Sequence, residues 1–233
     1  MPGQGFHLGF SKLAAEKAKK EFTDEMKVGT LIVDALSEIS GSRRFSHFTG
    51  GAGCVLPQFD DLKNLSSIQT WDSGMEKSFI IDPAIDIMLM KTTSKHLSST
   101  DYRNGILLHL LADNVSDNMF KNEIFDFSNQ ENNIVSIRNT SIELDNVVFR
   151  RLIHSFYPIL DQYVMKLAGI DKEYIEETKK LLYSTVSPKL AEFICQYLNF
   201  DPNIVIEDND FFTIEMIDNL LEKNLFFSAM HII

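Results

Sequence analysis

The sequence predicts an all-α protein: a single multi-helix domain over residues 1–233. Two observations lead there. Apolar residues recur at helical spacing through most of the chain, bounded by helix-start and helix-stop residues. Only one short patch, Ile134–Ile137, has β character, and no internal repeat or low-complexity tract interrupts the pattern.

The first helix is expected over Phe6–Phe22, with the Lys-rich "EKAKK" suited to a helix C-terminus. Thr23 or Asp24 can cap a second helix, in which Val28, Leu31, Ile32, Ala35, Leu36 and Ile39 share a face and Gly41 follows as a C-terminal glycine. "FSHFTGGAGCVLPQFDDLKNLSSIQTWDSG" breaks the period and reads as a long ordered loop. "DPAIDIMLMKTTSK" follows as a helix with Pro83 in its first turn. Ser98–Thr100 offers a cap for "YRNGILLHLLADNVSDNMF", and "TSIE" at Thr140–Glu143 has the form of a capping box. The helix it would launch carries Leu144, Val148, Leu152, Phe156, Leu160 and Val164, with Pro158 expected to kink or break it. Further helices are expected near Asp171–Ser184, Ser187–Leu198 and Thr213–Ala229, packing on a core formed by residues 1–165.

Composition narrows the function classes. The 233 residues are 44% hydrophobic, so a large core can form, and the net charge is −11. Such a balance lacks the basic face that nucleic acids need and disfavours anionic membranes. A phosphate-bearing small molecule stays compatible with it, because a bound cation supplies local positive charge. Cys54 and Cys195 have no paired spacing, which removes a disulfide framework or four-cysteine zinc site. The N-terminus has no apolar signal region, and no apolar run reaches the ~18 residues of a transmembrane segment. The expectation is a cytoplasmic protein.

The helix at Tyr102–Phe120 carries the chemistry. His109 and Asp113 are four residues apart, about 40° on the helical wheel, so both leave one face. Leu107, Leu108, Leu111 and Val115 fill much of the rest. A buried carboxylate demands a partner, a hydrogen bond or a metal. Gly105, Ala112 and Ser116 share the His109 face and are small enough to leave room for an ion. Metal ligation and a hydrogen-bonded buried His–Asp pair both fit. Further ligands would come from elsewhere: His7, in "GFHLGF" beside glycines that permit close backbone approach, and Asp60 and Asp61 in the long loop. His47 and His96 have no partner at ligand spacing, His154 reads as a surface or packing residue near Arg150 and Arg151, and His231 carries no signal. No Gly-x-Ser-x-Gly elbow and no phosphate-binding glycine loop appear.

The order of these elements resembles the zinc-dependent phospholipase C-like proteins of bacteria, in particular their short cytoplasmic relatives. The resemblance rests on "GFHLGF", "TGGAGCVLPQFDD", "LKNLSSIQTW" and the Gly105–Asp113 pattern, and covers about residues 1–165. It implies a phospholipase C-like helical bundle with zinc or another divalent metal in a cleft. His7, Asp60, His109 and Asp113 would be ligands, Asp61 the general base, and a small phosphoester the substrate. The chain departs from that pattern where Pro57-Gln58 replaces Pro-Asp and where Ser66, Ser67 and Ile68 replace a histidine. These departures imply a reduced site, or alternatively a non-catalytic helical interaction protein that keeps the fold. For the latter, the amphipathic terminal helix with Phe226 and Phe227 could dock on a second copy of the chain.

Overall fold

The computed structural model of the protein describes residues 3–40, 100–118, 124–126, 134–138, 142–205, 207–208 and 213–230. Among them are seven helices: α1 (Gln4–Lys17), α2 (Asp24–Ser40), α3 (Thr100–Asn118), α4 (Asn146–Leu167), α5 (Lys172–Thr185), α6 (Pro188–Tyr197) and α7 (Ile214–Met230). Three short strands, β1 (Phe125–Asp126), β2 (Ile134–Ile137) and β3 (Glu143–Asp145), form an antiparallel sheet in the order β1-β2-β3. The protein is therefore mostly helical rather than all-α. The expected helix over "DPAIDIMLMKTTSK" and the glycine-rich loop lie outside the described residues.

The β-branched patch Ile134–Ile137 became the central strand, burying Val135 and Ile137 on one face. Its pairing also overrides the capping box. Glu143 pairs with Ser136 and Leu144 with Val135, so these residues are extended and the helix begins later. Asp145 caps α4 instead: one carboxylate oxygen accepts from the amides of Val147 at 2.8 Å and Val148 at 2.9 Å.

Two further boundaries differ from the sequence reading. Helix α1 stops at Lys17, before Phe22, because Lys19 adopts the left-handed conformation at φ 56°. Helix α4 runs through Pro158 without ending. Pro158 and His154 are both exposed, so the His154 carbonyl that loses its helical partner can turn to water. The expected cap at Thr23 is present, Asp171 caps α5, and Gly41 and Ser98–Ser99 lie outside the described residues. Thr23 Oγ1 accepts from the Met26 amide at 3.3 Å, and Asp171 accepts from Tyr174 at 2.8 Å.

The core centres on α2 against α3, with α1 laid between them and α4. Helices α5 and α6 pack on α2, and α7 on α1 and α3. Glycines set the α2–α3 distance. A Cβ on Gly29 would meet the Tyr102 carbonyl oxygen at 2.2 Å, and one on Gly105 the Met26 carbonyl oxygen at 2.2 Å. The backbones touch where the two glycines face each other.

Helix α1 is held at its start by α4. The Gly3 amide donates to Asp161 Oδ1 at 2.9 Å, across 158 residues. Burial pushes the Asp161 carboxyl up to about 7, outweighing the Gly3, Phe6 and Gly5 amides that favour its anion. The folded protein thus holds this proton more tightly than the unfolded chain, where an aspartate titrates near ~4. The resulting stability is complete below that value and is lost as pH rises through about 7. We expect urea unfolding to show a contribution on the order of 4 kcal/mol that fades between pH 4 and 8. The Asp161→Asn protein should lack that part of the slope.

Candidate metal centre

Three helices deliver four side chains to one place. Helices α2 and α3 run parallel, in a register read off successive contacts. Thr23 Oγ1 donates to Asp101 Oδ2 at 3.1 Å, Thr30 Oγ1 donates to the Gly105 carbonyl at 3.2 Å, and Thr30 O lies 2.8 Å from His109 Nδ1. One turn beyond Thr30, Asp34 arrives beside His109 and Asp113. Helix α1, turned back by the short connection before α2, brings His7 to the same level.

The His7 and His109 rings stack with centroids 3.8 Å apart and planes 13° from parallel. Each Nε2 faces both carboxylates. His7 Nε2 lies 3.7 Å from Asp34 Oδ2 and 3.6 Å from Asp113 Oδ1. His109 Nε2 lies 3.7 Å from Asp34 Oδ1 and 3.9 Å from Asp113 Oδ2. Both imidazoles are fully buried, Asp113 is 6% exposed and Asp34 is 17% exposed, so solvent reaches the cluster on the Asp34 side.

These separations exceed direct hydrogen bonds. They are near the ~3.4 Å edge of a tetrahedron whose corners sit at zinc–ligand distances of ~2.1 Å. One donor atom from each of His7, Asp34 and His109 lies within 4.8 Å of the others. The tautomer also fits. A carbonyl can only accept, so His109 Nδ1 carries the proton that Thr30 O receives, which leaves the Nε2 lone pair directed at the carboxylates in the neutral ring. A neutral Nε2 lone pair with carboxylate oxygens 3.7 and 3.9 Å away leaves room for a cation between them. Among these four side chains, protonating both rings would stack two cations in contact, and protonating one would offset only one of the two carboxylates. A divalent cation held by His7, Asp34 and His109, with Asp113 alongside, would balance the two carboxylates. The Thr30 carbonyl would then play the orienting role common behind metal-bound histidines.

Of the residues expected from the sequence, the structure brings His7, His109 and Asp113 together. Asp60 and Asp61, expected as ligand and general base, lie outside the described residues, as do His47, His96, His231 and Cys54. His154 is exposed on α4. Asp34 was not anticipated. Its signal was a single carboxylate at the edge of an apolar stripe, in "TLIVDAL", but its partners are 27 and 75 or more residues distant. Gly105, read as room for an ion, instead serves the α2–α3 contact. No known protein family, curated protein or solved structure matches the chain. No helix among the described residues is long and apolar enough to cross a membrane.

Asp34 gives a direct test of the four-donor set. Calorimetric titration of the Asp34→Ala protein with zinc should show affinity lowered by about a hundredfold or more. An unchanged affinity would remove Asp34 from the site.

Proposed function

We propose that the protein is a divalent-metal-dependent hydrolase of phosphoesters, with His7, Asp34, His109 and Asp113 as the metal-holding residues. The observation that supports this most is that His7, Asp34 and His109 each bring a donor atom within 4.8 Å of the others, with the buried Asp113 carboxylate beside both imidazoles. A metal there supplies an activated water and charge stabilisation for phosphoryl oxygens. The protein's own groups do the rest. Thr30 O holds the His109 ring in one tautomer, Asp113 supplies a desolvated carboxylate, and the more exposed Asp34 marks the side from which a substrate enters. An acidic chain of net charge −11 needs such a local cation to attract a phosphoester.

A second reading draws on the number of donors. Four protein groups can close a tetrahedral shell, as in structural zinc sites, whereas catalytic sites keep a position open. In that reading the ion staples α1, α2 and α3 in a non-catalytic protein. Hydrolysis of bis(p-nitrophenyl) phosphate with added zinc, manganese, cobalt or iron(II) separates the two. Turnover that is lost in His7→Ala supports the hydrolase. Stoichiometric metal without turnover under any of these ions supports the staple.

A further inference from the structure

Helix α1 is gripped on two opposite faces. Toward α4 it presents Gly5 and Gly9. A Cβ at Gly9 would meet the Val164 backbone at 2.9 Å, and one at Gly5 the Met165 side chain at 2.8 Å. His7 points about 160° away from both glycines, toward α3. The glycines of "GQGFHLGF" therefore seat the helix, and the histidine between them reads out where it is seated. Seating along the axis is decided at the first turn. Gly3 supplies no side-chain cap, and Asp161 takes that role from α4. The fit is close, since a Cβ on Gly3 would stand 2.2 Å from Asp161 Oδ2.

We infer that Asp161 is a positioning residue for the metal centre: by capping α1 it holds His7 Nε2 beside Asp34 and Asp113, where it would bind a cation together with His109. This rests on the metal reading above. Without the cap, the first turn loses its amide acceptor and frays. His7 sits in that turn, so fraying moves a ligand while His109, Asp113 and Asp34 stay on α3 and α2.

The test is cobalt(II) titration of the cation-free full chain, read by calorimetry and by the visible d–d spectrum, with the melting temperature of the same sample. Asp161→Ala should weaken cobalt binding about tenfold or more and alter the spectrum. Asp161→Asn, whose side-chain oxygen still accepts from the Gly3 amide, should stay within about threefold of the unsubstituted protein. Leu190→Ala, in the core on α6, should lower the melting temperature and leave cobalt binding unchanged. If Asp161→Ala does not fold, Gly3→Ala displaces the same carboxylate and should weaken cobalt binding in the same direction. Affinity and spectrum unchanged in the folded variant overturn the inference. No cobalt binding by the unsubstituted protein overturns the metal reading and this inference together.

Discussion

Protein purified without chelator is expected to carry about one divalent metal ion per chain, and EDTA is expected to lower its melting temperature by roughly 10 °C. Both follow from the charge balance of the cluster. A cation held among these two carboxylates and two imidazoles would offset the cost of desolvating them. A ligand held at about a thousand times its dissociation constant contributes about 4 kcal/mol, and a chain of this size shifts by about 2–4 °C for each. His109→Ala should abolish the metal and the EDTA response together. It removes one donor and the ring whose orientation Thr30 O sets. Elemental analysis and thermal scans with and without chelator check this. A melting temperature indifferent to EDTA in metal-free and zinc-loaded samples alike would sink the centre. So would equal metal content in the His109→Ala protein.

Gly105→Ala is expected to destabilise the fold by about 3 kcal/mol or more, a large effect for one added methyl. The new carbon would stand 2.2 Å from the Met26 carbonyl oxygen and 2.9 Å from the Thr30 amide nitrogen. Both are helix backbone and cannot rotate away, so α2 must move off α3. Three other effects would follow from that movement. The Thr30 Oγ1 bond to Gly105 O and the His109 contact with Thr30 O would lengthen, and Asp34 would retreat from His109. Gly29→Ala meets the Tyr102 carbonyl oxygen at 2.2 Å and should behave alike. Urea unfolding measures the loss, and zinc affinity should fall in parallel in any variant that folds. Stability within about 0.5 kcal/mol of the unsubstituted protein would show that the helices approach less closely than described.

Local chemistry accounts for much of what the sequence revealed. The caps at Thr23 and Asp171, the helices from Lys172 to Met230 and the strand at Ile134–Ile137 depend on neighbours within a few residues. His109 and Asp113 were legible for the same reason: a four-residue interval on an apolar helix puts both on one face. Where a local rule met a longer-range contact, the contact won. The capping box ending at Glu143 lost to pairing with β2, which takes up Glu143, Leu144 and Asp145. At Pro158, where a kink or break is expected, α4 continues, the proline lying on the exposed face of a helix that packs through its other side.

The sequence by itself determined a mostly helical protein, a buried His–Asp pair on one helix and a glycine-flanked histidine near residue 7. Tertiary structure alone decided that Asp34 joins them, that Gly105 serves helix contact, and that Asp161 caps a helix 158 residues away. The physical reason is reach. Side-chain periodicity reports which face a residue occupies within its own element, whereas a four-donor site depends on how separate helices are spaced and aligned. That spacing is set by the backbone contacts at Gly29, Gly105 and Gly9, which become visible only once the chain is folded.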